Sequence, residues 1–143
     1  MTDPVLYLRG LLLGLNVPVL LPGEFGVPQL HRRAGTEVTG LRDYLADLAP
    51  DGYVQLTAPT GLLSDGVTDT ALQVLDVLAS GADGEAARTR AQALALQVRL
   101  AAGFTNRAPT RLRFLRDQFS GPVETGIWRI QQVYQLYTAF GQV

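Results

Sequence analysis

At 143 residues with 47% apolar side chains, the chain can bury a core without disulfides or a structural metal. A formal net charge of −1 argues against a polyelectrolyte partner, so nucleic-acid binding is disfavoured as the main task, a local patch aside. No cysteine is present, which excludes disulfides, thiolate catalysis and zinc–cysteine sites. All 12 basic residues are arginine. That is first the mark of a GC-rich genome; the functional reading is interface use, since a planar guanidinium pairs and stacks better than an ammonium.

In chain order, Asp3-Pro4 is a helix start: a carboxylate able to cap an orphan N–H, then a proline at the first helical position. Val5 to Leu15 is strongly apolar, but it is far short of the ~20 residues of a membrane span and Arg9 interrupts it. The acidic start also argues against a signal peptide. A helix apolar on most sides is expected in the core or against a sister subunit. Asn16 to Pro22 reads as a short edge strand, because Pro18 cannot donate to a ladder. Gly23 to Gly35 reads as a loop holding the sole histidine, His31, beside Arg32 and Arg33, either a solvated cluster or a grip for an acidic neighbour. Val38, Leu41, Tyr44, Leu45 and Leu48 have helical spacing and predict a short surface helix docked on one edge.

The next stretch organises the chain. Tyr53 to Ala58 alternates as a half-buried strand, and Leu72 to Ala79, apolar on both faces apart from Gln73 and Asp76, reads as a central one. Asp76 then needs a partner or a wet setting, for which an arginine at a protomer boundary would serve. Pro59 to Asp69 is rich in turn formers and predicts a projecting hairpin loop. Ser80 to Gly84 breaks the strand. Glu85 to Ala102 then reads as a long helix with Asp83 as N-cap, Gly103 as C-terminal cap and Ala87, Ala91, Leu94, Val98 and Ala101 as its buried stripe. Arg88, Gln92 and Arg99 fall on its exposed side. Arg111 to Asp117 alternates basic and apolar as an exposed strand, and Ser120 to Gly126 predicts a turn. Ile127 to Ala139 reads as a long final strand, with Trp128, Ile130, Tyr134 and Leu136 on one parity and Gln132 as an exception. The expected fold is α+β: a small, mostly antiparallel sheet of about four to five strands, a long helix on one face, and an N-terminal helix, in one domain over 1–143.

No nucleophile elbow, phosphate loop, dinucleotide fingerprint or metal-ligand spacing is present. Asp65 to Asp69 lacks the ligand spacing and terminal glutamate of a calcium loop. The residues therefore predict neither an enzyme nor a cofactor.

Two stretches carry a resemblance. Thr68-Asp69-Thr70-Ala71-Leu72-Gln73-Val74-Leu75-Asp76-Val77 runs into an alanine-rich helix, and Ser120-Gly121-Pro122-Val123 leads to Trp128-Arg129-Ile130-Gln131-Gln132-Val133-Tyr134-Gln135-Leu136. With the order of elements, this resembles the tail terminator (tail-completion) proteins of long-tailed bacteriophages, particularly those of actinobacterial hosts. The likeness spans most of the chain; residues 23–48 match least and look like an insertion. It implies a virion protein, made in the host cytoplasm, that forms a homo-hexameric ring at the head-proximal end of the tail. Such a ring stops polymerisation of the tail tube protein and offers the head's connector (stopper) complex a joining surface, with DNA passing through its lumen unread and no membrane involved. Exposure and residue type nominate the N-terminal helix, the hairpin tip (Leu62, Leu63, Ser64, Asp65) and Asp76, Arg111, Arg113 and Arg129 as protomer or partner contacts. The alternatives are another phage neck or head-completion component, or a small ligand-binding or enzymatic α+β domain using the His31 loop.

Overall fold

A computed structural model of the protein describes residues 4–22, 30–33, 36–64, 68–102 and 110–139. The elements, in order, are α1 (Pro4–Leu12), β1 (Val19–Leu20), β2 (Leu30–Arg33), β3 (Thr36–Thr39), α2 (Leu41–Asp47), β4 (Tyr53–Leu56), β5 (Thr60–Ser64), β6 (Thr68–Ser80), α3 (Gly84–Ala102), β7 (Thr110–Glu124) and β8 (Ile127–Ala139). Five strands lie abreast as β1-β4-β6-β8-β7, and β5 pairs with β6 beyond the end of β4. All pairings in this sheet are antiparallel except β1 with β4. The fold is α+β, as the sequence predicts.

The period-two pattern places Val54, Leu75, Val77, Ile130, Tyr134 and Leu136 on one sheet face, where they meet Ala91, Leu94, Ala95 and Val98 of α3 and Val5, Leu8 and Leu12 of α1. Alanines on the buried stripe let α3 lie close to the strands. Its first turn is capped as the sequence predicts, with Ala86 N–H donating to Asp83 Oδ1 at 2.8 Å. The buried stripe also takes in Ala95 and Ala102, while Ala101, expected on it, is only partly buried. Gly103 lies outside the described residues. The N-terminal helix stops at Leu12, gives way to a 3-10 turn over Leu13–Leu15, and ends on Asn16 in the left-handed region at φ 60°.

Gln132 shares this face and explains its exception to the apolar parity. It is buried, donates through Nε2 to the Ala95 carbonyl of α3 at 3.0 Å, and accepts from the Tyr134 hydroxyl at 3.0 Å. Burial raises the Tyr134 hydroxyl pKa, which keeps it a neutral donor. Among the described residues, the opposite face is covered at one end only. There α2 and β1 contribute Tyr44, Leu45 and Leu20, which pack with Ala49, Tyr53, Leu78 and Ile127.

Five expectations change. Val38, read as the start of the second helix, lies in β3, and α2 begins only at Leu41. Pro59 to Asp69 is not a projecting loop: after a break at 57–59, stapled by Thr57 Oγ1 and Gln73 Nε2 donating to the Val74 and Thr57 carbonyls, the chain resumes pairing as β5. A register shift between Thr60 and Leu63 absorbs Gly61 as part of a bulge. Residues 65–67, Asp65 among them, lie outside the described residues. Likewise Leu30–Arg33, read as loop, pairs antiparallel with Thr36–Thr39, and the side chain of His31 is not among those described. Tyr53–Leu56 is buried on both faces rather than half-buried, because Gln55 turns its Nε2 to the Leu21 and Leu56 carbonyls. Finally, Ser120-Gly121-Pro122 does not turn the chain. β7 runs through it to Glu124, and the reversal is the two-residue connection Thr125-Gly126, with Gly126 at φ 78°.

Candidate interaction surface

The uncovered part of the second sheet face is the candidate site. Register places Leu72, Val74 and Asp76 of β6 beside Gln135, Val133 and Gln131 of β8, with Arg129 next along β8. On β7 the partners of this row are Arg113 (opposite Gln135), Arg116 (opposite Val133), Phe119 (opposite Gln131) and Gly121 (opposite Arg129). Among the side chains described, three guanidiniums therefore share one face. Arg113 and Arg116 are exposed and Arg129 is half-buried.

Arg129 stacks over the Phe119 ring at 4.7 Å from its centroid, and its buried Nε has no hydrogen-bond partner. The ring itself folds back over Gly121, where an added Cβ would lie 2.9 Å from Phe119 Cζ. A side chain at 121 would lift Phe119 from the sheet and unseat the guanidinium. The stack thus holds a planar cation flat and partly desolvated, the state in which a guanidinium pairs best with a carboxylate.

Asp76 is 8% exposed and accepts from Gln131 Nε2 at 2.9 Å. Within the chain its hydrogen-bond partner is thus a glutamine, on the neighbouring strand β8. Gln131 is itself fixed by Gln118, whose Nε2 donates to Gln131 Oε1. Burial raises the Asp76 pKa, while the Gln131 hydrogen bond and the Arg129 charge pull it down. Tyr53 rests edge-on to Tyr44 at 5.4 Å; its hydroxyl pKa is raised by burial, with Tyr44 and Asp76 adding and Arg129 opposing.

The Asp76 shift has a consequence for stability. A carboxyl held above its ordinary value of 3.8 binds its proton more tightly in the folded state than in the unfolded one. Its contribution is fully present below the ordinary value and is lost as pH rises through the folded one. Asp76→Asn, which keeps the acceptor for Gln131, is therefore expected to gain on the wild type between about pH 3.5 and about pH 7 in urea denaturation. An equal gap between the two proteins at both pH values would contradict this.

Of the nominated contacts, the structure brings together Asp76, Arg113 and Arg129 on this face, and register puts position 111 on it as well, two residues before Arg113. Arg111 sits on β7 opposite Tyr137, and Leu62, Leu63 and Ser64 lie in β5, their side chains outside the described set. The β5–β6 end of the sheet is far from Arg129, which pairs with Leu78 near the other end of β6. The sequence reading did not nominate Arg116, Phe119, Gln118 and Gln131. Register shifts at 114/116 and 117/119 insert Leu115 and Gln118 as extra residues, so Arg113, Arg116 and Phe119 recur every third position rather than every second. A three-residue recurrence of Arg, Arg and Phe ahead of a glycine was the available signal.

Among the described residues no cluster of His, Asp or Glu could hold a metal ion, and no helix is long and apolar enough to cross a membrane. No family model matches the chain, and the curated proteins contain no match to it.

Proposed function

We propose that this chain is a structural ring protein of a phage tail: it caps the tail tube, halts its polymerisation and offers the joining surface to the head connector. The observation that supports this reading best is the open sheet face carrying Arg113, Arg116 and the Arg129–Phe119 stack. Such a face suits broad contact with another protein, with a planar cation held beside its covered end and exposed cations along β7. Asp76 strengthens the case. It is kept nearly buried, where a neutral side chain would cost less, beside a cation whose Nε has no partner. The resemblance in element order and in the two quoted stretches supplies the assembly context.

The test is negative-stain imaging of tube protein polymerising with and without this chain. Sixfold rings on tube ends, with elongation halted, are the expected result. Arg113→Glu/Arg116→Glu, both exposed, is expected to melt as the wild type does while the number of capped tubes falls about tenfold. Tubes that grow on with the wild-type protein unattached would sink the reading.

A further inference from the structure

The outer side of α3 carries a second, separate pattern. Ala86, Thr89, Ala93, Leu96 and Leu100 are spaced 3, 4, 3 and 4 residues apart, the a/d spacing of a coiled-coil seam. The buried residues Ala91 and Val98 fall on the far side of the helix from it. Leu96 and Leu100 are 55% and 59% exposed, unusual for leucines on a helix whose inner stripe is already satisfied. Thr89 and Ala93 are exposed as well.

The seam is graded in size: small residues in its N-terminal half, leucines in its C-terminal half. A parallel partner of the same kind would set leucine on leucine and alanine on alanine, wedging the helices apart at one end. An antiparallel copy does the reverse. With a facing d, Thr89 meets Leu100 of the second copy and Ala93 meets its Leu96, and the two-fold axis repeats both pairs. Each of these four layers then holds one large and one small side chain. The flanks agree, since this register sets Arg90 against Gln97 and Gln92 against Arg99, so no two cations face each other. The helix dipoles also oppose.

We infer that α3 is a self-pairing surface, and that its occupant is the α3 of a second copy lying antiparallel. This goes beyond the ring reading and does not rest on it: the seam is on the opposite side of the sheet from the arginine face. One helix pair covers less than the ~1,200 Å² of a stable complex, so the dimer is expected to form in the range of tens to hundreds of micromolar.

The chain has no cysteine, so single cysteines report cleanly. Ala93→Cys and Leu96→Cys, mixed and oxidised, are expected to form chiefly the mixed disulfide rather than either symmetric one. This readout holds in any larger assembly, because it reports which helices touch. In sedimentation velocity up to about 200 µM, Leu96→Glu/Leu100→Glu is expected to lose the dimer while keeping the wild-type circular dichroism. Tube capping by that variant should be unchanged, which separates this surface from the ring reading. Predominant symmetric disulfides, no cross-link above that of an exposed control cysteine, or a dimer that survives the glutamates would each overturn the inference.

Discussion

Gly52→Ala is expected to cost about 3 kcal/mol or more, a large share of the stability of a domain this size. Gly52 precedes β4 at φ +98°, a region that side chains avoid. It is also buried where β4 enters beneath α3. A Cβ there would lie 2.5 Å from the Leu78 carbonyl oxygen and 2.8 Å from Leu94 Cδ2. Leu94 could yield, but the Leu78 carbonyl belongs to the central strand and cannot move without disturbing the pairing of Tyr53 with Leu78. Gly10→Ala is the control. Gly10 lies inside α1 with nothing within 4 Å of an added Cβ, and alanine there should stabilise by about 0.5–1 kcal/mol. Urea denaturation of both variants decides the matter, and an unchanged midpoint for Gly52→Ala would refute the steric argument.

Gln132→Leu should cost about 2–4 kcal/mol although it puts a hydrocarbon of similar size into an apolar layer. The Tyr134 hydroxyl would lose its acceptor, and the Ala95 carbonyl the side-chain donor that ties β8 to α3. Tyr134→Phe alone strands Gln132 Oε1 instead. Combining the two removes both ends of the inner hydrogen bond, so the double variant is expected to fall short of the summed losses by 1 kcal/mol or so. Strict additivity would show that the pair does not act as a unit.

The sequence is most informative where a strand or helix is regular. β8 begins and ends where its alternation does, and α3 begins at its acidic cap, because burial on one face imposes a fixed period on each. It misleads where the period changes. Pro59, Gly61, Gly121 and Pro122 are turn formers in isolation, yet each falls in or beside a strand whose neighbour carries the pairing. β6 is long enough to hold β4 and β5 end to end, and β8 holds β7 throughout its length. Local propensity is overruled by a partner strand that is already fixed. The same bulges hide the arginine face, whose members are separated by three residues rather than two. Asp76, a lone acid in an apolar run, is legible as an anomaly, but its partner Gln131 lies 55 residues away and only register identifies it.

The irregular outer strand sets a rule for how copies of this protein can recognise one another. With register shifts at 114/116, 117/119 and 122/124, β7 keeps an evenly spaced row of amides and carbonyls only over Thr110–Phe114, and the rest of its outer edge is irregular. Beyond Phe114 another strand would meet a broken ladder, so joining through the backbone, which is indifferent to sequence, is disfavoured over most of that side. Recognition there falls mainly to side chains. Partner choice can then be rewritten by a few surface substitutions, and two mutually blind versions of the protein could share one cell while keeping the same fold.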